Sequence, residues 1–119
     1  GITLALPSQA ELRAAVEAHL ATVRRYARVT GRSIYSFGWL LDVARGLYTL
    51  RTGAVASKTA AGRWALENRL CPDPDLLVTA LHVRAGAQQM RDDPRTLELA
   101  AELGPAVQRF ADVLETALR

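Results

Sequence analysis

The run Leu41–Leu70, LDVARGLYTLRTGAVASKTAAGRWALENRL, decides how this chain folds. Apolar residues recur at helical spacing up to Leu47 and Tyr48, and Thr52-Gly53 then supplies a stop, because glycine takes the left-handed cap conformation without steric penalty. Ala54 to Ala56 is too short for anything but a crossing. Ser57 caps a second helix, in which Ala60, Ala61, Trp64, Ala65 and Leu66 form a narrow face of small residues with Trp64 as its one large core plug. The reading is therefore helix, tight connector, helix. Gly46 costs the first of these helices roughly 1 kcal/mol against alanine, which implies close approach by a neighbouring helix. Asp42 and Arg45 lie off the apolar stripe and are expected to pair at i,i+3 on the surface.

The same periodicity extends in both directions. Ser8 and Glu11 form a capping box for a helix to about Val29, with Leu12, Val16, Leu20, Val23 and Ala27 as its buried stripe. Arg24, Arg25 and Arg28 suit the negative end of that helix's dipole, and with Arg32 they leave an anion-binding patch as the alternative. Ser33 is expected to cap the next helix, which carries Ile34, Phe37, Leu40, Leu41, Ala44, Leu47 and Tyr48 inward. After the linker Cys71-Pro72-Asp73, with Asp73 as N-cap and Pro74 at the first helical position, a fourth helix runs to about Met90 and buries Leu77, Ala80, Leu81 and Ala87. Asp93-Pro94 repeats that start. Leu97, Ala100, Leu103, Val107, Phe110, Leu114 and Leu118 keep one face in phase across Gly104-Pro105, so a kink or break is expected there. The fold class is all-α, a five-helix antiparallel bundle in one domain spanning 1–119.

Composition narrows the function. Aromatics are 6% of the 119 residues and the net charge is +3, too small and diffuse an excess to argue for nucleic acid. The single cysteine, Cys71, excludes an internal disulfide, and no apolar run reaches membrane-spanning length. The one methionine is Met90, so Gly1 is not expected to be a native translation start. No phosphate-binding glycine loop, catalytic carboxylate pair or nucleophile–base pair is visible. His82 is isolated and is read as structural or exposed. Arg13 and His19 are spaced loosely like the ribonuclease motif of HEPN-type helical bundles, a match close to chance. Lys58, the sole lysine beside fourteen arginines, falls in the first turn of its helix. A cation there opposes the dipole, yet a lysine beside free helix amides is also how phosphate is held, so a surface role and a ligand contact both stay open.

In order and spacing, Arg45, Tyr48-Thr49, Thr52-Gly53, Lys58 and Trp64-Ala65-Leu66-Glu67 resemble the carboxy-terminal helical domain of the aminoglycoside adenylyltransferases, bacterial antibiotic-resistance enzymes that modify streptomycin and spectinomycin. The resemblance implies a cytoplasmic two-domain enzyme. Its amino-terminal nucleotidyltransferase domain would bind ATP and Mg²⁺, and the helical domain would close over it to complete the nucleotide and small-molecule acceptor sites. Lys58 matches the family lysine that reaches the nucleotide phosphates. The amino-terminal motifs are missing here, so this chain is expected to be excised from such an enzyme and to transfer no AMP alone. On the acceptor side the family's acidic residue falls on Tyr35 and its polar partner on Gly38, a departure from the pattern; Asp42 lies two turns along the same face. Tyr35 and Asp42 are the candidate substrate-binding residues and Lys58 the candidate nucleotide-binding one. The alternatives are a structural or protein-interaction bundle and a HEPN-like ribonuclease.

Overall fold

The computed structural model describes residues 7–30, 36–86 and 93–119, and all regular structure among them is helical. In chain order the helices are α1 (Gln9–Thr30), α2 (Phe37–Thr52), α3 (Lys58–Glu67), α4 (Pro74–Ala85), α5 (Pro94–Ala100) and α6 (Leu103–Leu118). None of them is long and apolar enough to cross a membrane. The expected cap Ser33, the core residues Ile34 and Ala87, Arg32 and the candidate Tyr35 lie outside the described residues, whereas α4 ends at Ala85 with Gly86 as its C-cap, short of the expected end near Met90.

The all-α class holds, while the expected five helices become six among the described residues. The difference lies in the last stretch. The chain breaks at Ala101-Glu102, where the amides of Ala101 and Glu102 turn to the carbonyls of Glu98 and Leu99 at three-residue spacing. Gly104-Pro105 does not break anything. Pro105 falls in the first turn of α6, where its missing N–H would have found no partner in any case. The short α5 also faces differently from the expected stripe: Thr96 and Ala100 are buried, and Leu97 is 52% exposed.

Helix α2 occupies the middle, packed against α1, α3, α4 and α6. Phe37, Leu40, Leu41, Val43, Ala44, Leu47 and Thr49 are all buried along it, so its apolar surface wraps most of the helix and is not a single stripe. Val43 and Thr49 were not expected inside; both are covered because neighbours reach α2 from several sides. Gly46 confirms its assigned purpose, since a Cβ there would lie 3.0 Å from Leu114 Cδ2 and 3.3 Å from Val16 Cγ1. The absent side chain is what lets α6 and α1 meet over α2.

Helix α1 buries Val16, Leu20, Val23 and Ala27 as its periodicity requires. At its start the Glu11 amide donates to Ser8 Oγ at 3.1 Å, while the Glu11 carboxylate accepts from the Ser8 hydroxyl, where the capping box would have it reach the Ser8 amide. Near its end Arg24 is neither a free solvated cation nor an anion patch. Its guanidinium donates to Gln108 Oε1 and Asp112 Oδ1, each at 2.7 Å, and to Glu115 Oε2 at 3.2 Å, while Gln108 donates back to the Arg24 carbonyl. These bonds fasten α1 to α6.

Asp73 likewise stands at the N-cap position of α4 without capping it. Both of its carboxylate oxygens are taken by Arg109, at 2.9 and 2.8 Å, a bidentate clamp to α6 that outcompetes the local amides. Asp93 does cap α5, accepting from the Arg95 amide at 2.9 Å. Beside the clamp Cys71 is buried. Desolvation, aided by the Asp73 charge, pushes its thiol up to about 11 against the opposing effects of a backbone hydrogen bond at Asp73 and the Arg109 charge.

Two outcomes follow from this packing. Gly46→Leu should lower stability by about 2 kcal/mol in urea denaturation, because the added atoms have nowhere to go between Val16 and Leu114. The Cys71 thiol should react with iodoacetamide at pH 8 on the order of 100-fold more slowly in the native protein than in the urea-unfolded chain. The fold holds that proton more tightly than the unfolded chain does. The associated stability is therefore complete below the thiol's ordinary 9.0 and is lost as pH rises towards about 11.

Candidate functional site

The connector between α2 and α3 is built almost entirely from the motif of the Leu41–Leu70 run. Gly53 ends α2 with φ of 72°, its amide bonding the Thr49 carbonyl at 2.8 Å. The Thr52 hydroxyl donates to the Tyr48 carbonyl and accepts from the Ala54 amide, holding the first step of the turn. Arg45 does not pair with Asp42. Its Nε donates to the Ala56 carbonyl at 3.0 Å, pinning the far end of the connector to α2. The i,i+3 rule sees one helix at a time, and here an unpaired carbonyl on the following loop lay within reach.

The same motif then fixes α3. Ser57 is extended, and its hydroxyl accepts from the Ala60 amide at 3.1 Å, the capping geometry expected from the sequence. Trp64 is half-buried, with its ring edge-on to Tyr48 at 5.3 Å and 84°, while Ala61, Gly62 and Ala65 are buried along α3. Trp64 is thus packing material, as read from the sequence. Ala60, expected inside with them, is exposed.

What this assembly positions is Lys58, the first residue of α3. Its ammonium lies 3.4 Å from Asp42 Oδ1, and it reaches over Gly38, where a Cβ would sit 3.7 Å from Nζ. His19 Nε2 of α1 stands 3.7 Å from the other Asp42 oxygen. The Asp42 carboxylate is 13% exposed and Lys58 29%, so three helices bring a carboxylate and two nitrogen groups to one half-buried point. Two sequence candidates, Lys58 and Asp42, are thereby in direct contact, and Gly38 is beside them. Tyr35 lies outside the described residues. His19 was read only for the ribonuclease motif; its contact with Asp42 crosses between helices and has no signature in local spacing.

A groove of about 330 Å³ adjoins this cluster between α1, α2 and α6. Its walls are apolar, including Leu12, Val16, Val43 and Leu114, and His19, Asp42 and Arg45 line its polar part. Among the described residues no group of three His, Cys, Asp or Glu side chains is arranged to hold a metal ion. Chemically, the cluster offers a partly exposed ammonium whose counter-ion is on a different helix, which suits an anionic ligand that can take the carboxylate's place.

Arg13 pairs with Glu17 on its own helix at 3.6 Å, while His19 faces Asp42. Six residues apart on one continuous helix, Arg13 and His19 point in directions roughly 120° apart. His82 is exposed on α4, within the earlier reading of it.

Comparison with known proteins gives one family. No curated protein and no solved structure matches the chain. Residues 5–114 match the family described as "Aminoglycoside adenylyltransferase, C-terminal domain", which takes in every helix above apart from the last turn of α6. With the motif of α2 and α3 present in order and the match running nearly end to end, the chain belongs to the aminoglycoside adenylyltransferase C-terminal domain family.

Proposed function

We propose that this domain closes over a nucleotide held by an amino-terminal nucleotidyltransferase domain and brings Lys58 to the nucleotide phosphates. The observation that carries the reading is the division of labour in the motif. Arg45, Thr52, Gly53, Ser57 and Trp64 spend their hydrogen bonds, conformation or packing on the connector and on α3. Lys58 presents a partly exposed ammonium at the end of that assembly. An ammonium whose stem starts from this held turn can be brought to charge developing on phosphoryl oxygens, which is how cations accelerate phosphoryl transfer. Mg²⁺ and the hydroxyl-activating carboxylates belong, in this reading, to the other domain.

The acceptor is a small molecule bound beside the same cluster. A polycationic aminoglycoside needs carboxylates whose charge is available. Asp42 is balanced by Lys58 with His19 alongside, and the family's acidic position is Tyr35 here. The nucleotide side is therefore the better supported half of the site.

Calorimetric titration with Mg²⁺–ATP tests the reading on the full-length protein of the same gene, its Lys58→Ala variant and this 119-residue domain alone. The full-length protein should bind, Lys58→Ala should bind roughly 10-fold more weakly, and the isolated domain should bind barely at all. Equal binding by Lys58→Ala would remove the lysine from the site and leave the bundle as a structural or partner-binding element.

A further inference from the structure

We propose that Asp42 is the internal competitor of the nucleotide: in the ligand-free domain it holds the Lys58 ammonium, and nucleotide phosphate must displace it. This deepens the nucleotide-closing reading and rests on it. Asp42 projects from α2, and Lys58 reaches it from the first residue of α3, so the contact joins two helices and is not a local pair. At 3.4 Å, with the carboxylate only 13% exposed, the ion pair is shielded more than a surface pair, and separating it has a real cost.

Three features make that separation feasible. Gly38 puts no side chain against the ammonium, leaving room for the flexible lysine stem to swing off α2. His19 stands 3.7 Å from the second Asp42 oxygen, so the carboxylate keeps a polar neighbour when the lysine leaves. Arg45, one turn further along α2, is pinned to the Ala56 carbonyl through its Nε and holds the connector still while Lys58 moves. The exchange trades one carboxylate for a polyphosphate of higher charge. The pair present before binding therefore subtracts from nucleotide affinity without abolishing it. Asp42, read from the sequence as a substrate-binding residue, acts here through Lys58 on the nucleotide.

The test is Mg²⁺–ATP titration of the full-length protein carrying Asp42→Asn, Lys58→Ala or both, with thermal melts to check folding. Asp42→Asn keeps the shape and removes the charge, and should bind roughly 3- to 10-fold more tightly than the unmodified protein. The double variant should bind as Lys58→Ala alone does, because the competition runs through the lysine. A merely structural Asp42 would give weaker binding on substitution, and that result, or unchanged binding, overturns the proposal. So does a double variant that gains as much over Lys58→Ala as Asp42→Asn gains over the unmodified protein, since Asp42 would then act by general repulsion. Should Asp42→Asn fail to fold, Asp42→Ser removes the same charge with a smaller polar group and is judged by the same outcomes. Failure of the underlying functional reading is seen separately, as a Lys58→Ala single variant that binds normally.

Discussion

The rest of the structure depends on the enclosure of α2 by four other helices. A helix hemmed in by α1, α3, α4 and α6 must be apolar around most of its circumference and small where two neighbours meet over it. Gly46 satisfies the second condition between Val16 and Leu114. Asp42 and Arg45 stand where its neighbours leave a gap, each engaged by a group from outside the helix. Packing thus decides where Asp42 and Arg45 can stand, before any ligand is considered.

Seen this way, the sequence motif that marks the family is mostly a device for holding one turn. Arg45 and Thr52 satisfy loop backbone groups, Gly53 supplies the left-handed step, Ser57 caps α3, and Tyr48 with Trp64 presses α3 against α2. Each contact is modest alone, on the order of 1 kcal/mol. Together they fix the origin of the Lys58 side chain while leaving its ammonium partly in solvent. The interhelical clamps Arg24–Gln108 and Arg109–Asp73 do for the bundle what this motif does for the turn: they tie α6 to α1 and to the start of α4.

Features that depend on one helix at a time were legible in the sequence. The buried stripe of α1, the Gly53 stop, the Ser57 cap and the Pro74 start all follow from local spacing and stereochemistry. The contacts that were missed involve partners from distant parts of the chain. Asp42 was matched to Arg45 because they neighbour on a helix surface, whereas Lys58 and His19 reach Asp42 from two other helices. Asp73 looked like a cap because Arg109, 36 residues on, was invisible to a local reading. The kink or break expected at Gly104-Pro105 came from counting proline as a disruptor without asking which turn it would occupy. Of the candidate site, Lys58 rested on family resemblance, and its contact with Asp42 required the structure.

The most direct test of the central claim, that Lys58 meets nucleotide phosphate, is peptide-resolved reductive methylation of the full-length protein. As the chain's sole lysine, Lys58 gives an unambiguous reading within this domain. Lys58 should be modified in the free protein, protected by saturating Mg²⁺–ATP, and left unprotected by adenosine, which lacks the phosphates. Methylation at the same rate with and without Mg²⁺–ATP, under conditions where binding is verified, would contradict it.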